Sequence, residues 1–388
     1  MKNNLLNSAA CWISLGLIPG LGNAIFNLLL KRFGSPEKIY EASSCELSNL
    51  KRVNSNIQEA ISEKKYLDKA IMITNQMLKK GIEFIDINSE DYPEWLKEIH
   101  NPPPFLFYKG NIDTLKPPKI SIVGSRSTTQ FGREIAYKLA KEISAEGFTI
   151  VSGMAKGIDR YALLAALENN GSAIAVLGNG VDIIYPPENR DIYNQLEKRG
   201  LLISQFLPGF PPSQSTFPIR NRIIAGLSMG VVVVEAGIKS GALITANHAI
   251  DEGREVFVIP GYADSITFRG SAKLIESGAN QVSSSEEILK ELEHITSIPS
   301  RERRHDKIVL RNIKETTPPQ REIPIILENL NNLQEKIILA LDTSLHIDNI
   351  VEKTGIDINT LALELLELEL KGLIIEQAGK TYRRTSKI

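Results

Sequence analysis

Lys119-Ile120-Ser121-Ile122-Val123-Gly124-Ser125-Arg126 is the stretch that decides the fold. Ile120 to Val123 is short, mostly apolar and β-branched, the composition of a buried parallel strand. It stops at a Gly-Ser-Arg corner. Beyond Thr128-Thr129-Gln130, the apolar residues from Phe131 to Ala140 fall at helical spacing. The order is strand, small-residue loop, helix. A helix start offers backbone N–H groups and the positive end of the macrodipole, which suits an anion, phosphate above all. Arg126 adds a charge with fork geometry. An ordinary βα turn that binds nothing would carry the same local pattern.

The pattern repeats outward from this unit as far as about residue 285. Further strands are expected at Phe148–Ser152, Ala173–Leu177, Leu201–Ser204, Val231–Val234 and Glu255–Ile259, with helical spacing between them. Such alternation predicts a parallel sheet with helices on both faces. Ligands of these sheets sit outside the carboxyl ends of the strands. The expected ends carry Gly124-Ser125-Arg126, Gly153 to Gly157 with Lys156, Gly178 to Gly180, Ser240-Gly241 and Pro260-Gly261. One such loop says little, but five at one edge predict a shared rim. Arg220 and Arg222 flank Asn221 at the start of a helix that follows Phe217. Arginine there opposes the helix dipole and is best tolerated with an anion between the two; a pair of surface salt bridges is the alternative.

Other segments flank this region. Residues 1–82 read as helices, and Ile18-Pro19-Gly20-Leu21-Gly22 resembles a helix-hairpin-helix turn in which glycines let N–H groups approach a phosphate. A plain turn is the competing reading, since basic residues are few there. Phe84-Ile85-Asp86 and Phe105 to Tyr108 are short strands leading into the sheet, separated by the rigid Asn101-Pro102-Pro103-Pro104. The central domain spans 83–290. Residues 291–328 are charged and proline-marked, the composition of a solvated linker. Residues 329–388 read as three helices and a hairpin, a winged helix. Its third helix would be the DNA reader. It carries Asp357, Glu364, Glu367 and Glu369 against Lys371, which favours a protein-contact or regulatory role.

Composition removes several classes. A net charge of −1 over 388 residues requires any phosphate-binding surface to be a local patch. Two cysteines without partner spacing, Cys11 and Cys45, predict neither a disulfide framework nor a metal site, and fit a reduced, cytoplasmic chain. No apolar run is long enough to span a membrane, and Pro19-Gly20 breaks the apolar start, so it is not read as a signal peptide. Gly226-Leu227-Ser228-Met229-Gly230 matches a nucleophile-elbow pattern but has a helix before it and a strand after, the reverse of what that motif needs. Gly178-Asn179-Gly180 lacks the third glycine of a dinucleotide fingerprint, there is no Walker A sequence, and five scattered histidines suggest no ligand set.

The blocks Ile122 to Arg126, Ser152 to Asp159, Ala175 to Gly180, Phe217 to Ser228, Val234-Glu235-Ala236, Ser240 to Ala246 and Gly253 to Phe257 resemble, in order and spacing, the DprA/Smf family. The resemblance is dense from about 84 to 285, and the flanking segments are similar to that family's helical (helix-hairpin-helix or SAM-like) and winged-helix domains. It implies an extended Rossmann-like domain that dimerises. It also implies a cytoplasmic, non-catalytic protein of natural transformation that binds and protects incoming single-stranded DNA and helps load the RecA recombinase, with no cofactor. The family's DNA pocket maps to Gly124, Ser125 and Arg126. Gly153, Lys156, Gly157, Phe217, Arg220, Asn221, Arg222, Ser240 and Gly241 lie in matching blocks. Three positions depart from the family pattern: Leu163 replaces a frequent His, Gln205 a frequent Glu, and Ala272 a frequent Asn.

Two functions follow. A single-strand binder would hold phosphates with glycine-loop N–H groups and arginines, with Phe131 or Phe217 either stacking on bases or serving as core. The alternative is a nucleotide-binding or nucleotide-hydrolysing enzyme similar to the lysine-decarboxylase-like phosphoribohydrolases. Those place a glycine-rich run before a catalytic Glu; here Glu235 follows a strand without that run.

Overall fold

The β-branched run at residue 120 does form a strand buried along its whole length. In chain order the sheet contains β1 (Glu83–Asp86), β2 (Phe105–Gly110), β3 (Lys119–Val123), β4 (Thr149–Ser152), β5 (Ala173–Val176), β6 (Leu201–Ser204), β7 (Gly230–Val233), β8 (Glu255–Val258) and β9 (Asn280–Gln281). The computed structural model describes residues 2–168, 172–261 and 265–296 of one unit, and 332–341, 345–356, five positions from 360 to 368, 373–377 and 381–384 of a second.

The spatial order is β1-β2-β6-β5-β4-β3-β7-β8-β9. All pairs from β6 to β9 are parallel, while β1, β2 and β6 pair antiparallel, so the two short strands before β3 extend the sheet edge as the sequence predicts. The chain runs outward from β3 through β4 and β5 to β6, then returns to place β7 on the other side of β3. That reversal opens a crevice at the carboxyl ends of β3 and β7, where ligands of doubly wound sheets bind. The nine-strand α/β sheet with helices on both faces is the Rossmann-like architecture expected. The two-residue β9 was not legible; it is too short to show a period.

Side chains alternate between two cores. Ile120 and Ile122 pack with Ala136, Leu139 and Ile143 of the Gln130–Ala145 helix. On the other face, Val123, Val151 and Val231 pack with Ile223 and Ile224 of the Thr216–Leu227 helix. Ser121 breaks the apolar pattern of β3, and its hydroxyl donates to the Ile224 carbonyl at 3.0 Å, so its burial leaves no orphan. Residues before β1 are helical from Lys2–Gly16 to Leu67–Lys79. Their core of Trp12, Phe26, Leu29 and Ile57 continues into Phe105 and Phe107 of β2, and Trp12 stacks on Phe26 at 5.6 Å.

The second unit has helices Asn332–Ala340 and Ile347–Thr354 and a three-stranded antiparallel sheet with Thr381–Arg384 in the middle. Ile337, Ile350, Leu361, Leu365 and Ile374 form its core. Glu364 is half-buried and accepts from Gln334 at 2.8 Å. Asp357, Glu367, Glu369 and Lys371 lie outside the described residues, as does the expected linker beyond Thr296. Residues 291–296 of that linker belong instead to the Ser285–Thr296 helix.

Candidate nucleic-acid interface

Two adjoining cavities open at the carboxyl ends of the central strands. A cleft of about 910 Å³ is lined by Gly124, Ser125, Arg126, Asn221, Ser240 and Gly241 among others. A cavity of about 70 Å³ is lined by Gly153, Lys156 and Gly178. Arg126, Phe217 and Arg220 line both. Four of the five expected glycine corners therefore meet at one rim. Pro260-Gly261 does not line it; Gly261 faces the Phe268 ring instead.

The first correction concerns the helix starts. The amino end of the Gln130–Ala145 helix is already filled by an internal anion. Glu235, fully buried, accepts from Thr128 Oγ1 at 2.8 Å, from the Thr129 N–H at 3.0 Å and from Thr129 Oγ1 at 3.0 Å. Its own carbonyl takes the Ser125 N–H at 2.6 Å. Asp159, on the first turn of the Ile158–Glu168 helix, reaches back into the loop before it and accepts from the Gly153 N–H at 3.1 Å and the Ala155 N–H at 3.2 Å. Glu235 takes the place that the βα pattern reserved for phosphate, and Asp159 takes up loop N–H groups that a phosphate could have met. They hold the 125–129 and 153–157 loops in one shape.

Glycine makes that shape reachable. Gly157 has φ +77°, and a Cβ there would lie 2.2 Å from the Ser125 carbonyl oxygen. It does not line either cavity; it lets the two loops touch.

The second correction concerns the arginines. Two residues apart on a helix point to nearly opposite sides. Arg220 turns inward and is 4% exposed. It donates to the Gly153 and Val176 carbonyls and, at 3.1 Å, to Asn221 Oδ1. Burial pulls it down to about 10, opposed by the nearby Asp159 carboxylate, so it stays charged at neutral pH. Burial pushes Asp159 up, and Arg220 with the two N–H donors opposes that. Arg222 turns away from the rim and donates to the His100 and Asn101 carbonyls at 2.9 and 2.5 Å. The two guanidiniums engage different segments and do not form one anion clamp; Arg222 fastens the proline-rich segment.

What remains on the outer layer is cationic and aromatic. Arg126 is exposed, its guanidinium 5.2 Å from the Phe217 ring centre. Arg220 approaches the same ring from beneath at 5.8 Å. Phe217 is half-buried and stacks on Tyr185 at 5.8 Å with 25° between planes, and Tyr185 is 38% exposed. Exposed Lys239 and Arg269 line the cleft, so among the described residues its charged lining is four cations and one buried acid. That is the local patch a balanced chain requires. Lys156 is exposed but pairs with Glu188 at 2.5 Å. Phe131, 43% exposed, leans on Phe268 at 6.1 Å and lines neither cavity.

The sequence did not single out Tyr185, Lys239 or Arg269. Lys239 directly precedes a quoted block and Tyr185 follows the 178–180 corner by five residues, so both were within reach. Arg269 arrives from a distant helix and left no signal.

A family model for DNA recombination-mediator protein A matches residues 83–293, and one for the DprA winged helix domain matches 324–380. The chain belongs to the DprA/Smf family. Protein Smf of Synechocystis sp. is 33% identical over 394 residues, 97% of this chain and 98% of its own. DNA processing protein DprA of Bacillus subtilis is 44% identical over 215 residues, 55% of this chain and 72% of that one. The X-ray structure of DprA from Streptococcus pneumoniae is 37% identical, covers 65% of this chain and 92% of its own, and superposes with a TM-score of 0.55. DprA from Helicobacter pylori, solved for its single-stranded DNA binding mode, is 28% identical, covers 55% and 96%, and has a TM-score of 0.50. Among the described residues, no helix of this family member is long and apolar enough to cross a membrane.

Proposed function

We propose that this chain binds single-stranded DNA along the rim, protects incoming DNA in natural transformation and assists loading of the RecA recombinase, acting as a cytoplasmic homodimer and breaking no bond. The observation that carries the reading is Arg126, exposed at the crevice and seated on the Phe217 ring. A cation beside an aromatic face in a basic cleft suits a phosphate and its neighbouring base. Membership in a family described as recombination mediators, and the strand-binding relative from Helicobacter pylori, support the same reading.

The hydrolase alternative needs Glu235 beside a substrate. Glu235 lies beneath the 125–129 loop with its carboxylate taken up by three donors, and lines neither cavity. Asp159 is engaged in the same way, and Glu188 is paired with Lys156. These engagements support a non-catalytic rim.

The test is binding of oligo-dT, a duplex of equal length and AMP over a salt series. With three or four phosphates held, log K for the single strand falls with log salt at a slope of roughly −2 to −3. Preference for duplex, salt-independent affinity, or release of ribose phosphate from AMP would overturn the proposal.

A further inference from the structure

The loop leaving β6 carries a second pair of stacked rings. Phe206 and Phe210 lie 5.4 Å apart with 25° between planes. Phe210 is 40% exposed and Phe206 is half-buried. Exposed phenylalanine is unremarkable on a loose loop, but Phe210 sits on a turn held by three hydrogen bonds. Leu207-Pro208-Gly209-Phe210 is a turn closed by the Phe210 N–H on the Leu207 carbonyl at 3.0 Å. Proline second and glycine third, with Gly209 at φ +80°, fit a type II turn. Leu207 packs into the core shared with the helical region. The Gly180 N–H donates to the Phe210 carbonyl at 2.9 Å, and the Gly209 N–H donates to Asp182 at 2.7 Å.

The loop after β5 joins this turn to the rim. Its Gly178, Asn179 and Tyr185 line the small cavity, while Gly180 and Asp182 hold the Phe210 turn. The two aromatic pairs are thus joined through one loop, to which Tyr185 itself belongs. Tyr185 and Phe217 line the small cavity with Lys156, which pairs with Glu188; the Phe210 turn is held by Asp182, which pairs with Lys80 at 2.6 Å. Lys80 comes from the helical region and is about half exposed.

We propose that Phe206 and Phe210 form a second base-stacking platform, over which a single strand held at Arg126 and Phe217 continues toward Lys80. This rests on the single-strand reading above. The occupant follows from continuity: the same ring geometry, with a neighbouring lysine, adjoins the crevice. Rings held on a hydrogen-bonded turn lose little freedom on stacking, so they give affinity at a small ordering cost. The helical region then contributes directly to the length of strand bound.

The experiment is an oligo-dT length series against the parent, Phe210→Ala, Phe210→Leu and Phe210→Trp, with thermal melts to show that each variant is folded. Parent affinity rises in a step once the oligonucleotide reaches the second platform. Phe210→Ala and Phe210→Leu lose that step, about 5- to 150-fold on long oligonucleotides, and match the parent on short ones. Phe210→Trp keeps the step, and its emission is quenched by long oligonucleotides alone, over the constant background of Trp12 and Trp95. Parent-like binding of long oligonucleotides by Phe210→Ala, or full rescue by Leu, would overturn the platform while leaving the rim standing. A parent that binds no single strand would instead overturn the proposed function.

Discussion

Strand β3 has a cation at each end, and the two have opposite fates. Lys119 opens the strand, is 6% exposed and donates to the Pro117 carbonyl at 2.9 Å; burial pulls its ammonium from 10.5 to about 8. Arg126 stands three residues past the strand's other end, exposed over Phe217. The amino end is sealed into the fold, and the carboxyl end opens where β7 returns beside β3. The position of a charge in the topology, rather than its residue type, decides whether it can meet a ligand. The Thr216–Leu227 helix repeats the lesson with Arg220 beneath the rim and Arg222 on the proline-rich segment.

The largest expected effect tests the sealed end. Between pH 8 and 10.5 the unfolded chain holds the Lys119 proton and the folded chain does not, so the parent's stability rises with pH across that window. Lys119→Met removes the cost of the buried charge. Its advantage over the parent, read from urea unfolding, shrinks by roughly 3 kcal/mol from pH 7 to above pH 10.5. A pH-independent difference would mean that Lys119 is not held in an unfavourable charged state. DNA affinity at pH 7 is unchanged.

A smaller effect tests the open end. Glu188 competes with phosphate for Lys156. Glu188→Gln tightens oligo-dT binding by up to about fivefold, the scale of one exposed ion pair. It also steepens the salt slope by about 0.7, one more phosphate contact. Weaker binding would mean that Glu188 positions Lys156 rather than masking it.

The sheet was legible because parallel strands read as apolar runs and their helices as a 3.6-residue period. The carboxyl-end rim followed from topology alone. The chemistry inside the rim was legible only in part. A glycine-rich helix start signals an anion but does not say whose. Glu235 supplies it here for the Gln130–Ala145 helix, and sequence spacing cannot show a carboxylate reaching across from the neighbouring strand. Arg220 and Arg222 were read as a pair because both are arginines near a helix start; the angle between successive helical positions separates them. Tyr185 and Phe210 sit in loops without period, where only coordinates reveal a stacked partner.

The most direct measurement is the affinity of Arg126→Ala for oligo-dT beside its melting temperature. The side chain is exposed, so the account predicts an unchanged melt with affinity lowered by roughly 1–3 kcal/mol, alike for every base sequence, and a shallower salt slope. Parent-like affinity, or a loss of binding that merely tracks a lowered melting temperature, would contradict it.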